Sequence, residues 1–576
     1  MRRREFLVFA TALGVARGAD ILPLDQLRAG QRGVGRTVFS GDQVEEFQAQ
    51  ILGVLDNVGP KQSLILARLS GGPLQQTGVM AGMSGSPVYV DGKLIGAVAF
   101  SFPFTTEPLC GIRPIEDMLA PETPAPERAA APSLQALLSG EQPLLPATPR
   151  SAKAEGMVPI ATPVSFGGFT ERTLDIFGDR LRALGLRPVQ GVGGQARGAA
   201  AAGPLEPGAM ISVGLIEGDL SVSAAGTVTA IEGDRIQAFG HPFLSAGPAR
   251  LPMARASVIT LVPNLQNSFK LAATGQQIGA ITLDRTAGVA GIIGGDPDMA
   301  PAGFRVNGRD YRMTLVRDPY LTPFLLEMAA FSAVDATERQ LGPSTLRVNG
   351  RATFVGDVPD LDLGDVYSGP TSVSQQAALN TAAPLAFVMQ AAGERLRIEN
   401  IEIEVSATPE QRTLRVARVW TDRETVKRGE TVRLFVLLRD GEGHETLHSD
   451  TVMFPAHTQA GEVFLTVSDA AGLNMSDLSL LFDRGGMPAG RLIEAVNRLR
   501  RSDRYYTRAW RLYRGLHAQG QRFEQPPASL LAVLDAPRGA AGGAAADPFT
   551  TLEERASEPV DAFVQGSETL RLTVTE

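Results

Sequence analysis

The chain contains GVMAGMSGSP at residues 78–87, followed at once by VYVDGKLIGAV at residues 88–98. The second stretch predicts a β-hairpin, because two apolar runs flank Asp91-Gly92, a pair typical of tight turns. A serine between glycines that leads into proline and a hairpin does not suit the nucleophile elbow of an α/β-hydrolase, which leads into a helix. These residues therefore predict β structure on the C-terminal side of an irregular serine loop.

Ser84 is the candidate nucleophile of this loop. Gly82 and Gly85 carry no Cβ and can adopt backbone conformations that other residues avoid. In such a conformation the N–H groups of Gly82 and Ser84 can converge on one oxygen as an oxyanion hole, for which measured cases give about 3–4 kcal/mol of transition-state stabilisation per donor. The alternative is a glycine-rich turn in which Ser84 and Ser86 are merely polar turn residues.

A serine nucleophile needs a base, and the chain has five histidines. Four of them lie in the C-terminal third, namely His444, His448, His457 and His517. His241 is the only histidine before them, and it follows a predicted strand, a turn at Glu232-Gly233-Asp234 and a second strand. A base at the exit of a strand can reach into a cleft. The alternative is a histidine with a structural role.

The serine segment, residues 77–98, and Gly240-His241 resemble the sporulation factor IV B peptidases, a family of chymotrypsin-like serine endopeptidases. Weaker similarity covers residues 41–52 and 278–291. The resemblance implies a mainly β, chymotrypsin-like double β-barrel. It also implies that Ser84 is the nucleophile, that His241 is the general base, and that the amides of Gly82 and Ser84 form the oxyanion hole.

The chain departs from the family pattern in two ways. The family places histidine before serine, whereas here Ser84 precedes His241, so the order is circularly permuted; a triad is defined by geometry and tolerates this. The family aspartate upstream of the serine is also missing, since no acidic residue lies between Asp56 and Asp91. We take Asp234 as the third catalytic residue, with Asp284 as the other candidate. A Ser-His dyad or an inactive fold is the remaining alternative.

The chain of 576 residues is long enough for several domains. Thr170 to Leu184 predicts a helix, Ser133 to Leu138 a short one, and Arg491 to Arg514 a basic helix that packs its apolar stripe on a neighbour. The predicted order is a signal peptide (1–19), the serine half of a peptidase domain (20–120), a Pro/Ala-rich linker (121–165), the histidine half (166–345), a β-rich extension (346–415), an immunoglobulin-like β-sandwich (416–485), a basic helical segment (486–530) and a flexible tail (531–576).

The N-terminus predicts export. Arg2-Arg3-Arg4 precedes a short apolar run, which is typical of a Sec or a twin-arginine signal and too short to span a bilayer. We expect the mature protein in the periplasm, the cell envelope or the medium, with no stable membrane span. The single cysteine, Cys110, cannot form an internal disulfide and is predicted to be a buried small residue.

A net charge of −8 and a pI near 5.5 give no basic footprint for nucleic acid. His444 and His448 lack a third clustered ligand, so neither a metal nor another cofactor is predicted. The sequence therefore predicts an exported serine endopeptidase that acts on protein or peptide substrates, with a possible envelope partner at the C-terminal sandwich. The alternative is a catalytically inactive binding or scaffold protein with the same fold.

Overall fold

A computed structural model describes residues 20–59, 62–120, 132–146, 156–191, 204–264, 267–337, 342–392, 396–481, 488–512, 515–518, 521–523, 527, 529, 544–547 and 549–576. The predicted signal peptide, the small-residue loop predicted at 193–203, part of the Pro/Ala-rich linker and the glycine-rich start of the predicted tail lie outside these ranges. Among the described residues, no helix combines the length and the apolarity needed to cross a bilayer.

The first described unit is a closed barrel of six antiparallel strands. Its strand order is β4-β1-β2-β3-β6-β5, and β5 pairs again with β4 to close the ring. Phe47, Ile65 and Val98 are among its core residues, and Cys110 is buried there as predicted. The elements are a 3-10 turn (Leu24–Gln26), β1 (Arg32–Val38), β2 (Val44–Gly59), β3 (Gln62–Ser70), α1 (Leu74–Thr77), β4 (Pro87–Val90), β5 (Lys93–Ser101), β6 (Leu109–Pro114) and α2 (Ile115–Leu119).

The predicted hairpin is confirmed within this barrel. Strands β4 and β5 pair antiparallel around Asp91 and Gly92, whose φ angles are +50° and +76°. Two consecutive positive φ angles are those of the tight turn whose twist matches that of paired strands. The serine loop therefore enters a rigid hairpin directly at Pro87.

The segment between the barrels carries two of the predicted helices. Thr170 caps α4 by accepting a hydrogen bond from the Thr173 amide, and Ser133 caps α3 in the same way. Such N-caps satisfy amide groups that a helix start leaves unpaired, which is why both positions were readable from sequence. The elements are α3 (Leu134–Ser139), β7 (Val158–Pro159), β8 (Thr162–Gly167), α4 (Glu171–Ala183) and β9 (Leu186–Gln190).

A second closed barrel of six antiparallel strands follows. Its order is β10-β13-β14-β15-β12-β11, and β11 pairs with β10 to close it. The two barrels together form the predicted chymotrypsin-like double barrel, with the serine barrel first and the histidine barrel second. The strands are β10 (Met210–Gly218), β11 (Ser221–Glu232), β12 (Arg235–Ala238), β13 (Gly247–Val262), β14 (Phe269–Arg285) and β15 (Gly288–Ile293).

The second barrel continues into an extension that contains two buried helices. Every residue of α5 is buried, and α6 is buried along most of its length. Neither helix was predicted, because a helix that is apolar on all sides shows no amphipathic period. Helix α5 therefore lies in the predicted histidine half (166–345), and the predicted β-rich extension (346–415) contains α6 as well as strands. Its elements are β16 (Met299–Val306), β17 (Arg309–Val316), α5 (Leu321–Asp335), β18 (Ser344–Phe354), β19 (Leu361–Asp362), β20 (Asp365–Gly369), α6 (Val373–Ala391) and β21 (Ile398–Thr408).

The C-terminal region is a two-sheet sandwich around a shared core. One sheet has the order β25-β24-β22-β32 and the other β23-β33-β26-β27-β31, while β29-β28-β30 form a small separate sheet. The elements are β22 (Thr413–Thr421), β23 (Thr425–Lys427), β24 (Thr431–Asp440), β25 (Glu445–Met453), β26 (Gly461–Ser468), α7 (Ala470–Leu481), α8 (Ala489–Asn497), β27 (Tyr506–Arg511), β28 (Gly515–Ala518), β29 (Gln521–Phe523), β30 (Ala544–Asp547), β31 (Thr550–Ala556), β32 (Phe563–Gln565) and β33 (Ser567–Thr575).

Two expectations for this region are corrected. The basic helix ends at Asn497 instead of Arg514, and Tyr506–Arg511 is a strand inside the five-stranded sheet. The Arg508 side chain is buried in this sheet, where it forms salt bridges with Asp477 and Glu554. The C-terminal end is likewise no flexible tail, since β33 places alternate apolar residues such as Leu572 in the sandwich core.

Candidate active site

The serine loop is the irregular segment from Gly78 to Ser86, between α1 and β4. Gly82 and Gly85 have φ angles of +95° and +93°, in the region that favours glycine. Met83 N–H donates to Met80 O, and Ser86 N–H donates to Met83 O, so the loop turns twice on itself. A Cβ at Gly85 would lie 2.0 Å from Thr227 O, which makes glycine a requirement at that position.

Thr227 on β11 connects the serine loop to the second barrel. Its amide donates to Ser84 O at 2.9 Å, and its hydroxyl donates to Gly82 O at 2.9 Å. Its carbonyl accepts the amide of Phe239 at 3.2 Å. Because Phe239 lies two residues before His241, one strand residue holds both the serine loop and the histidine segment.

The histidine segment leaves β12 in a constrained conformation. Phe239 and Gly240 both have positive φ angles, +69° and +68°. A Cβ at Gly240 would lie 3.1 Å from Ala99 Cβ on β5, so the segment passes close to the strand that also bonds the serine loop at Gly85. His241 is fully buried, and its Nδ1 lies 2.9 Å from Pro242 O. The structure therefore brings the serine and histidine segments together at the barrel interface.

Asp284 on β14 holds the chain that follows the histidine. One carboxylate oxygen accepts the Phe243 amide at 2.8 Å. The other accepts the amides of Leu244 and Ala246 at 2.6 and 3.1 Å. The carboxylate is buried, and three backbone bonds to one charged group define the path of this loop.

Asp234 occupies a different place. It lies in the exposed turn between β11 and β12, at the opposite end of β12 from His241. The four residues of β12 separate the two ends, a span of about 13 Å at the usual rise per residue. The structure does not bring Asp234 to the histidine, whereas it places Asp284 against the histidine loop.

The side chains required for acyl transfer are buried in the protein. Ser84 is fully buried, and its Oγ has no hydrogen-bond partner among the described residues. The amides of Gly82 and Ser84 likewise donate to no oxygen in the described part of the chain, so both are available to a substrate oxygen. Catalytic hydrogen bonds are often unformed in the absence of substrate and tighten in the complex.

Thr227 was not predicted from the sequence. Its side chain bonds to Gly82 across 145 positions of sequence, a contact that no local pattern contains. No group of three or more potential metal ligands occurs in the ranges that the structure describes. His444 is exposed and pairs instead with Asp440.

Residues 18–119 match the family model described as SpoIVB peptidase S55. A comparison with curated proteins gives no match, and a comparison with solved structures gives none. The matched segment contains the whole first barrel and Ser84, whereas His241 and Asp284 lie outside it. The resemblance to the SpoIVB-type serine peptidases is therefore confirmed over residues 18–119.

Proposed function

We propose that the chain is an exported serine endopeptidase that cleaves protein substrates through an acyl-enzyme on Ser84. The observation that carries the proposal is Thr227, which binds the serine loop of one barrel and the histidine segment of the other. The family match over the serine barrel supports the same chemistry. Export and an envelope partner for the sandwich stay predictions from the sequence.

In the proposed reaction each residue either transfers the proton or stabilises the charge at a defined step. With the proton on Nδ1, which donates to Pro242 O, the Nε2 atom of His241 is the basic nitrogen that takes up a proton in the reaction. Ser84 Oγ attacks the peptide carbonyl carbon and His241 takes its proton, while the amides of Gly82 and Ser84 stabilise the oxyanion. The histidine then gives the proton to the leaving amine, and water hydrolyses the ester by the same route.

The burial of the site adds a requirement. Both Ser84 and His241 are fully covered, so a substrate reaches them only after the surrounding loops move. The same burial favours a second candidate function, a binding protein that keeps the peptidase fold without turnover.

Covalent labelling with a fluorophosphonate probe separates these two functions. We expect the full chain to be labelled, with the adduct mapped by mass spectrometry to Ser84, and Ser84→Ala to remain unlabelled. Ser70→Ala is the matched control, because Ser70 is an exposed serine of the same barrel. A folded protein that takes up no label at any pH would contradict the acyl-enzyme on Ser84 and favour the binding function.

Replacing Thr227 by valine should lower kcat by roughly tenfold with little change in KM. Valine keeps the shape but removes the bond to Gly82 O, and small misplacements of catalytic groups are costly. Peptide cleavage at saturating substrate measures the effect. Thr227→Ser, which restores a hydroxyl, should recover most of the rate; equal losses in both variants would exclude this hydrogen bond as the cause.

A further inference from the structure

A buried lysine also contacts the serine loop, at Ala81 and Gly82. Lys270 on β14 is almost completely buried and extends from the second barrel into the first. Its amine donates to Thr37 Oγ1 on β1 at 2.7 Å. Ser86 Oγ, at the end of the serine loop, donates to the same oxygen at 3.0 Å. Thr37 therefore couples the lysine to the residue two positions after the candidate nucleophile.

The rest of Lys270 contacts the loop before Ser84. Its backbone amide donates to Ala81 O at 3.0 Å, while the Ala81 amide donates to Ser268 O at 2.9 Å. A Cβ built on Gly82 would lie 3.3 Å from Lys270 Cβ, so the lysine stem packs directly beneath the oxyanion-hole glycine. The one side chain thus supports the loop on both sides of Ser84.

We propose that Lys270 is a positioning residue that holds the serine loop in its reactive shape while its amine is uncharged, and that protonation of the amine releases the loop. This inference rests on the proposed function, because the loop must be reactive for its position to matter. The site then responds to pH through Lys270, separately from any protonation of the histidine.

The surroundings of the amine explain why its charge matters. An ammonium has three N–H groups, whereas the described residues offer Nζ one acceptor, Thr37 Oγ1. The ring of Phe39 lies 5.8 Å from Nζ, and the charged group that acts on it is Glu45, an exposed residue opposite Thr37 on β2. Burying a charge with so few hydrogen-bond partners costs free energy. This cost favours a rearrangement that lets water reach the amine.

Burial lowers the pKa of Lys270 to about 7, against a smaller opposing effect of Glu45. The lysine is therefore uncharged above neutral pH and becomes an ammonium as the pH falls below 7. The reactive loop is held at higher pH and released at lower pH. At pH 5.5, about 1.5 units below this pKa, roughly one molecule in 30 keeps the uncharged amine.

Lys270→Met tests the proposal, because methionine keeps an unbranched apolar stem and has no charge. We expect the ratio of kcat at pH 5.5 to kcat at pH 8.5 to be about 30-fold higher in Lys270→Met than in the wild type. Lys270→Arg stays charged at every pH and should be slow at pH 8.5 as well. The inference is overturned if wild type and Lys270→Met have the same pH ratio, or if Lys270→Arg matches the wild type at pH 8.5.

A direct titration keeps the test independent of activity. The chain has only five lysines, so NMR of lysine labelled with carbon-13 at Cε gives few signals. One signal should titrate near pH 7 and be missing from Lys270→Met. If all five titrate near the usual value of about 10.4, the inference fails. Absence of fluorophosphonate labelling from wild type at every pH would instead refute the proposed function.

Discussion

Replacing either Ser84 or His241 by alanine should lower kcat/KM by about 10⁶-fold, and the double variant should be no slower than the single ones. The two side chains act in one step, since the serine is a weak nucleophile unless the histidine accepts its proton. Removal of either group therefore removes the benefit of both. Cleavage of fluorescein-labelled casein by the full chain, at a pH above neutrality, measures the three variants against the wild type.

His444→Ala is the control for this set. His444 is exposed on the sandwich and contacts Asp440, so its loss should leave cleavage unchanged. Circular dichroism of each variant establishes that the fold is retained. Losses that multiply in the double variant would show that Ser84 and His241 act independently, which contradicts a shared proton transfer.

The parts of the site that could be predicted from sequence are those with a local signal. Glycines on both sides of Ser84 and the Asp91-Gly92 turn mark the loop and its hairpin, and both occur as expected. His241 was identified by elimination, as the only histidine in the first two thirds of the chain. The serine loop and its hairpin needed only a short window of residues, whereas the histidine needed a count along the whole sequence.

The parts that could not be predicted depend on contacts between distant segments. Thr227 looks like any strand threonine until the barrels pack, and Lys270 looks like a surface residue until β14 crosses the interface. Asp234 was favoured because it is near His241 in sequence, yet a strand separates them in space. Asp284, the other candidate, lies 41 positions after Phe243, and the pairing of β13 with β14, which sets Asp284 opposite Gly247, brings it to that amide.

The choice between these two aspartates is tested by the same substitution at both. Asp284→Asn should lower kcat/KM by about 10²- to 10⁴-fold, since an amide in place of the carboxylate turns donors toward backbone N–H groups that need acceptors. Leaving a buried donor unsatisfied costs about 1–3 kcal/mol, so the unfolding temperature of the peptidase barrels should also fall. Peptide cleavage and thermal unfolding measure the two effects.

Asp234→Asn is the matched control, because it makes the same chemical change in an exposed turn. It should leave both cleavage and thermal unfolding close to those of the wild type. If Asp234→Asn abolished cleavage while Asp284→Asn did not, the acid would belong to the turn, and the barrels would have to rearrange greatly during catalysis. The expected result instead makes Asp284 the positioning carboxylate, one that acts on the histidine through the backbone of residues 243–246. A triad aspartate missing from its usual place in the sequence would then be replaced by one that holds the loop following the base.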